Sequence, residues 1–441
     1  MTKEKKEKKE KKKKGAEEQT STEGGVAAVG SAAVAAAALE KKNEKEKKKR
    51  KKKAEVSPRR LLSPLIPLYR LGLSLREFRL ATGMEQVRWL RCPIISIGNL
   101  STGGTGKTPF TIGLARALSR YNLPVDVLSR GYGRQSDEVL RVNPEGSAEE
   151  FGDEPLLIAR ETEVPVYVGA ERYEAGILAE SEALGALQEA VLQAAVTPGQ
   201  ESHDLVLLRY YRSMLKKLAK PPEAEPTGRG SRGSGNESAP PVEDNEPGPF
   251  CIHLLDDGFQ HRQLARTVDI LLLNEQDWED RLLPAGNLRE PLEALFRANV
   301  IAIPATEPEL EDKLEAFGWQ GPIWKLIRQV EVTKHEAPVI AFCGIARPGQ
   351  FFEALEAAEL MLADQFSFPD HYEFDESTVR ELIASALRVK AKAVITTTKD
   401  LTRLGKLAEL FPKNLPLEAA RLRVEVEDRG AMLSWLAARL L

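Results

Sequence analysis

The stretch "PIISIGNLSTGGTGKTPF", residues 93–110, decides how this chain is read. A short apolar run enters a turn rich in glycine, and a Lys–Thr pair opens the segment that follows. Gly103, Gly104, Thr105 and Gly106 form a turn whose glycines allow close backbone approach to a phosphate. Lys107 can meet the β- and γ-phosphates of a nucleotide, and Thr108 can offer its hydroxyl to Mg²⁺. The N-terminus of the helix expected over "PFTIGLARALSRY" adds a favourable site for an anion. The strict pattern G-x-x-x-x-G-K-[ST] fails at one place only, Ser101, where glycine is expected. Serine is small enough to follow a similar path, although its Cβ narrows the choice of conformations. The plainer alternative is a tight structural turn with an exposed lysine.

The flanking sequence supports the phosphate reading. "PVDVLSRGYG" supplies a second strand after the helix, and strand–loop–helix–strand is the context in which a phosphate loop sits in an α/β sheet. Further on, "FCIHLLDDGFQHRQL" is an apolar strand ending in Asp256 and Asp257, while "TVDILLLN" and "ANVIAIPA" read as buried strands. Hard carboxylates at a strand end suit Mg²⁺ held beside Thr108. Their bland reading is a pair of turn or helix caps. Near Ala337 a second alternation begins with "PVIAFCGIARPGQFFEALEAA" and continues through "STVRELIASALRVKAKAVITTTKD". The fold class is therefore α/β, with a two-domain, phosphate-loop-kinase-like architecture.

Composition places the remainder. Of 441 residues 42% are hydrophobic, which permits a sizeable core. Residues 1–53 hold 19 Lys/Arg against 9 acidic residues, whereas the rest holds 44 against 57, so a basic tail is joined to an acidic body. Such a tail cannot build a core. It is read as a solvated extension, as a segment attracted to anionic membrane or nucleic acid, or as a segment removed by processing. "VAAVGSAAVAAAAL" at 26–39 is too short and too alanine-rich for a membrane span, and no export is expected. Cys92, Cys251 and Cys343 have no metal-ligand spacing, and their odd number offers no disulfide framework. Residues 60–80, "RLLSPLIPLYRLGLSLREFRL", mix apolar positions with Arg70, Arg76 and Arg79, and could dock on the core or lie in a bilayer interface. "LVLLRYYRSMLKKLAK" is expected to be helical, and residues 221–249 read as a linker or long surface loop. The resulting division is an extension at 1–57, a membrane-associating segment at 58–81, a nucleotide-binding domain at 82–336 with an insertion at about 182–249, and a smaller α/β domain at 337–441, with segments exchanged between the domains as an option.

A phosphate loop and an acidic pair imply phosphoryl transfer or hydrolysis without naming an acceptor. A group that takes the acceptor proton must reach its hydroxyl, and Asp153 in "FGDEP" and His371 in "FPDHYEF" are candidates. Taken singly, each could equally cap a helix or pack.

The ordered set "SIGNLSTGGTGKTP", "LSRGYG", "GDEP", "PVYVGAER", "DDGFQH", "LLPAGNLREPL", "FPDH" and "TTTKD" resembles the tetraacyldisaccharide 4′-kinases, the lipid A 4′-kinase family, over roughly residues 58–441. The resemblance implies Mg²⁺-ATP-dependent phosphorylation of the 4′-hydroxyl of a tetraacylated glucosamine disaccharide 1-phosphate, giving lipid IVA. It implies a peripheral enzyme on the cytoplasmic face of the bacterial inner membrane, and so favours the interfacial reading of residues 60–80. It places Lys107 and Thr108 in ATP–Mg²⁺ binding, Asp256 and Asp257 in the acidic motif, and Asp153 with His371 as a catalytic pair. Glu154 and Asp370 become orienting neighbours, and Gln260 and His261 complete the acidic motif. Arg130, Arg172 and Arg289 fall inside shared motifs and could bind the 1-phosphate or sugar oxygens, or serve as structural ion-pair partners. No nucleic acid and no obligate protein partner are expected. The competing readings are a phosphate-loop kinase or NTPase with another acceptor, and a nucleotide-binding membrane adaptor.

Overall fold

The computed structural model describes residues 58–121, 123–196 and 251–440. The expectations for the lysine-rich tail, for the helix at 205–220 and for the linker at 221–249 lie outside the described residues. Two compact units are distinguished among the described residues, 58–67 with 284–286, and those from 68 to 283 with those from 287 to 440. In the first, Pro58–Leu65 winds as a 3₁₀ helix containing Pro64, and Ser63 Oγ donates to the Arg60 carbonyl at 2.6 Å.

Helix α1, Ile66–Ala81, has no fully buried residue. Pro67 lies in its first turn, where a missing N–H costs nothing. Ile66, Tyr69, Leu73, Arg76 and Leu80 are half-buried at helical spacing, whereas Leu68, Leu71, Leu75 and Phe78 form a neighbouring exposed stripe. Among the described residues no helix is long and apolar enough to cross a membrane.

In the larger unit the apolar runs become strands: β1 Ile94–Asn99, β2 Val125–Ser129, β3 Leu140–Arg141, β4 Val166–Val168, β5 Ile252–Asp256 and β6 Val268–Leu272. They are followed by β7 Val300–Pro304, β8 Ile323–Glu331, β9 Val339–Cys343, β10 Leu362–Ser367, β11 Val394–Thr397 and β12 Leu417–Val426. All join one sheet in the order β10-β9-β11-β12-β8-β7-β6-β1-β5-β2-β4-β3. Pairing is parallel except between β3 and β4 and between β8 and β12. Strands β1, β2, β5, β6 and β7 are buried along their whole length, which is why they are continuous apolar runs rather than alternating ones.

The long antiparallel pair β8–β12 carries the chain into the β9–β10–β11 segment and back. One core gathers Ile95, Phe110, Leu254 and Ile270 with Val424, Met432 and Leu436 from the chain's end. Others pack β9 and β11 against the helices around them. Helix α2, Lys107–Arg120, lies directly on β12: a Cβ at Gly113 would stand 2.4 Å from the Val424 carbonyl oxygen.

The cysteine expectation is corrected. Cys92 and Cys251, 159 residues apart in sequence, are paired in a disulfide with Cα atoms 5.6 Å apart. Counting cysteines could not find this pair, because it arises from the parallel register that sets Ile94 beside His253 at the starts of β1 and β5. Cys343 is free and buried, and burial pushes its thiol up to about 12.

Candidate active site

The phosphate loop runs from the end of β1 to α2. Gly106 precedes the helix at φ 90°, a conformation that only glycine adopts without strain. Ser101 is not in the left-handed region, so nothing there demands glycine. Its buried hydroxyl accepts from Asn99 Nδ2 at 3.1 Å, and the same amide donates to the Gly103 carbonyl at 3.3 Å. Asn99 Oδ1 in turn accepts from Lys107 Nζ at 2.9 Å. Asn99 thus ties both ends of the loop to the lysine, a role that sequence reasoning missed.

The acidic pair divides into two environments. Asp256 is buried and its Oδ1 accepts from Thr111 Oγ1 at 2.9 Å. Burial, with the charges of Glu154 and Asp257, pushes its carboxyl up to about 7. Asp257 sits at φ 48°. Burial alone would raise its carboxyl, but Lys107 at 3.4 Å and Arg289 at 2.9 Å hold it below its usual value. Asp257 is bonded to two cations, whereas among the described residues no cation is bonded to Asp256, which is crowded by the charges of Glu154 and Asp257, an acidic oxygen environment that suits a divalent ion. Thr108 lines the adjoining cavity, and the hydroxyl bonded to Asp256 belongs to Thr111.

A second cluster forms around Asp153, the first residue of helix α3, Asp153–Thr162. Its Oδ1 accepts from the Glu154 N–H at 2.9 Å, while Oδ2 accepts from Arg403 Nε at 2.8 Å and Nη2 at 2.6 Å. His371 Nδ1 lies 3.4 Å and Lys399 Nζ 3.9 Å from the same oxygen. Burial would raise the Asp153 carboxyl, but His371, Lys399 and Arg403 outweigh it and hold the group well below the carboxylate range. His371 adopts φ 59° and packs edge-on against Tyr132, ring centroids 5.6 Å apart. Arg403 Nη2 is 3.2 Å from His371 Nδ1, so the guanidinium and the Asp153 carboxylate face the same ring nitrogen. Lys399 binds Glu154 at 3.1 Å and lies 4.0 Å from Asp370.

Arg403 and Lys399 were not among the sequence candidates. Both stand on helix α4, Thr398–Leu404, four residues apart and therefore on one face. Buried Asp400 fixes that helix: its Oδ2 accepts from the Gly344 N–H at 3.0 Å and its Oδ1 from Arg403 Nη1 at 3.1 Å. The shared motif "TTTKD" ends at Asp400, and a lone arginine three residues past it gave no signal.

A cavity of about 680 Å³ opens against the phosphate loop, lined by Gly104–Thr108, Arg328 and Arg347, with Ile345, Phe351 and Leu422 as part of an apolar wall. Glu154, Asp370 and Lys399 also line it and connect it to the Asp153 cluster. Arg328 Nη2 donates to the Thr105 carbonyl at 2.6 Å. Among the other candidates, Arg172 is buried and reaches the Asp257 carbonyl at 3.4 Å, while Arg130 is exposed. Gln260 Nε2 donates to the Asn99 carbonyl at 2.7 Å and its Oε1 accepts from Arg289 at 3.2 Å. Arg76 of α1 donates to the Gln260 carbonyl, and Tyr69 donates to the Arg289 carbonyl at 2.8 Å. His261 is pushed down to about 3 by burial and by Arg172, Arg266, Arg76 and Arg130.

A family model described as tetraacyldisaccharide-1-P 4′-kinase matches residues 58–188 and 244–441. The tetraacyldisaccharide 4′-kinase of Koribacter versatilis is 35% identical over 383 residues, spanning 84% of this chain and 96% of its own length. That of Aquifex aeolicus is 32% identical over 381 residues, spanning 82% of this chain and 95% of its own. A crystal structure of the "apo" form of the Aquifex aeolicus LpxK in complex with ATP matches with a TM-score of 0.56 at 29% identity, covering 86% of this chain and 100% of that one.

Proposed function

The chain belongs to the tetraacyldisaccharide-1-P 4′-kinase family, and we propose that its phosphate loop, acidic pair and Asp153–Arg403–His371 cluster divide that family's reaction between them. The protein is an ATP-dependent kinase that phosphorylates tetraacyldisaccharide 1-phosphate and forms lipid IVA. One observation carries the assignment of roles: a carboxylate from the start of α3 and an imidazole from the loop after β10 meet 3.4 Å apart beside the cavity that the phosphate loop walls.

ATP lies with its phosphates on the Gly103–Gly106 amides and Lys107, and its base against Ile345, Phe351 and Leu422. Asp256 and Thr108 would hold Mg²⁺, with Asp257 keeping Lys107 in place; the ion, when bound, draws charge from the β- and γ-phosphate oxygens. The 4′-hydroxyl approaches His371, whose side chain is 40% exposed, from the open side of the cluster. Asp153 accepting from Nδ1–H leaves Nε2 free to take the hydroxyl proton, whereas Arg403 donating to Nδ1 leaves the proton on Nε2. The competition between these two neighbours sets the tautomer. Lys107 and the loop amides then stabilise charge on the transferring phosphoryl group. Arg289 and Arg172 support Asp257, so exposed Arg130 is the arginine we assign to the 1-phosphate or sugar oxygens.

The test is transfer of the terminal phosphate of Mg²⁺-ATP to tetraacyldisaccharide 1-phosphate in detergent micelles, with the phosphorylated position determined. Asp153→Asn and His371→Gln should each lower kcat by about 100-fold or more while leaving ATP affinity unchanged. Wild-type turnover in the double variant would remove the cluster from catalysis.

The same proposal extends to location, the cytoplasmic face of the inner membrane. The support is the stripe of Leu68, Leu71, Leu75 and Phe78, exposed at 68%, 65%, 58% and 55%, with Arg70 and Arg79 placed to meet head groups. Leu71→Asp/Leu75→Asp should weaken binding to anionic vesicles by at least about 10-fold, since each leucine contributes about 1.5 kcal/mol when buried. Equal vesicle binding by the variant would sink the interfacial reading.

A further inference from the structure

Two arginines from far along the chain touch the phosphate loop, and they are held in different ways. Arg328 of β8 is tethered, because its Nη2 donates to the Thr105 carbonyl at 2.6 Å. Arg347 follows β9 and precedes the helix Pro348–Ala357. Its one ion pair among the described residues is long, Nη2 to Asp277 Oδ1 at 3.5 Å. An arginine that holds structure makes short paired bonds, as Arg403 does to Asp153 at 2.6 and 2.8 Å. Arg347 makes no side-chain cap for the helix it precedes either.

The surrounding charges show how loosely that pair is made. Asp277 is buried, and burial raises its carboxyl even with Ser101, Arg347 and Lys107 opposing the rise. Burial and the neighbouring charge of Arg347 push the Arg328 guanidinium down, and Arg328 Nε is buried with no hydrogen-bond partner among the described residues. Lys107, Arg328 and Arg347 all line the cavity that the phosphate loop walls. Crowding of like charge at one wall is relieved by a polyanion.

The placement of glycine supplies the second argument. Gly106 needs its left-handed backbone, but Gly103 and Gly104 are not in that region, so φ does not require glycine at either. What they leave is room. A Cβ at Gly103 would stand 3.5 Å from Arg347 Nη2, and one at Gly104 would stand 3.7 Å from the Ala346 Cβ. The guanidinium thus lies directly on the loop, and a side chain much longer than a methyl at Gly103 would displace it.

We infer that Arg347 is a further catalytic residue of the kinase: with ATP on the loop, it leaves Asp277 and places its guanidinium on the γ-phosphate. There it stabilises charge as the bond from phosphorus to the bridging oxygen of ADP breaks and the bond to the 4′-oxygen forms. ADP departs with the bridging oxygen and its electron pair, and the hydroxyl proton passes to the Asp153–His371 pair. Arg347 remains a cation throughout. Its planar fork of donors suits the oxygens of a phosphoryl group, and Asp277 keeps it parked against the loop between turnovers. The inference rests on the reading of the phosphate loop as the ATP site of this kinase.

The test compares wild type, Arg347→Ala and Arg347→Lys as full chains in micelles carrying tetraacyldisaccharide 1-phosphate. Two quantities are read: phosphate transfer from Mg²⁺-ATP, and binding of Mg²⁺-ADP with and without aluminium fluoride, a mimic of the transferring group. Arg347→Ala should lower kcat by about 10³-fold, as loss of an arginine that meets the transferring group does in other phosphate-loop enzymes. The KM for ATP should change by less than about threefold. The variant should bind Mg²⁺-ADP as the wild type does but lose the added affinity that aluminium fluoride confers. Arg347→Lys should recover only part of kcat, since an ammonium lacks the fork. Wild-type kcat in Arg347→Ala overturns the inference. So does a loss of ADP affinity with the aluminium fluoride gain intact, which would make Arg347 a support for the loop. A wild type that transfers no phosphate overturns this inference and the assigned reaction together, whereas wild-type transfer that Arg347→Ala retains overturns only the role of Arg347.

Discussion

Replacing Arg403 by alanine probes the link between the Asp153 cluster and catalysis. The guanidinium makes two bonds to Asp153 Oδ2, at 2.6 and 2.8 Å, and further bonds to the Gly344 carbonyl at 2.7 Å and to Asp400 at 3.1 Å. Both Arg403 and Asp153 side chains are 8% exposed. At an effective dielectric of about 20, unit charges about 3 Å apart attract by about 5 kcal/mol. Part of that remains in the variant, because Lys399 at 3.9 Å and His371 at 3.4 Å still face Asp153. The expected destabilisation is therefore about 3 kcal/mol, the lower end for breaking a buried pair. It should appear as a lower urea midpoint and a melting temperature reduced on the order of 5 °C. The sign of its pH dependence follows from the depressed Asp153 carboxyl. Stability from such a group is present above its unfolded value of about 3.9 and is lost as pH falls toward the folded one. The gap between wild type and variant should thus be full at neutral pH and close below about pH 4. Catalysis should also suffer: with Asp153 held at fewer points, kcat should fall by about 10- to 100-fold. The KM for ATP should change by less than about threefold, because Arg403 does not line the cavity. Arg403→Lys should recover stability better than kcat, since an ammonium cannot bind Asp153, Gly344 and Asp400 in the same fork. Unchanged kcat and unchanged stability in Arg403→Ala would refute the reasoning; a rise confined to the KM for ATP would instead move Arg403 to the nucleotide.

Three other outcomes are expected. Ser101→Gly, which restores the strict loop pattern, should not improve activity: it removes the hydroxyl that accepts from Asn99, costing about 1 kcal/mol, and a marked gain in kcat/KM would show that serine strains the loop. Gly113→Ala should destabilise the protein by about 2 kcal/mol or more, read from the urea midpoint, because the new methyl would stand 2.4 Å from the Val424 carbonyl; a neutral result would mean that α2 and β12 separate easily. His261 is pushed down to about 3 while its unfolded value is about 6.5, so between these values the unfolded chain binds the extra proton and stability rises with pH. His261→Gln should abolish that slope, sparing about 1 kcal/mol of the stability otherwise lost between pH 7 and 5 once solvent screening is allowed for, and an identical pH profile would contradict the buried neutral imidazole.

Much of this protein was legible along the chain because its determinants are local. The loop "GGTGKT" carries its own conformational requirements, the continuous apolar runs announce parallel strands covered on both faces, and the ordered motifs identify the family and with it the reaction. Ser101 posed a question that only backbone geometry answers: its φ is not left-handed, so the departure from glycine leaves no strain to explain.

What the tertiary structure decided depends on contacts between residues far apart in sequence. Arg403 reaches Asp153 across 250 residues, and Thr111 rather than Thr108 meets Asp256 across 145. Cys92 finds Cys251, with His253 and Asp126 beside them, only because β1, β5 and β2 are parallel neighbours that start at the same level. Arg289, read from its motif as a substrate ligand or a structural ion-pair partner, is paired with Asp257. Local sequence sets which backbone conformations and side-chain chemistries are available. Which charges neutralise one another is settled by register and burial, because an ion pair gains its strength where water is excluded, and that exclusion is a property of the folded chain alone.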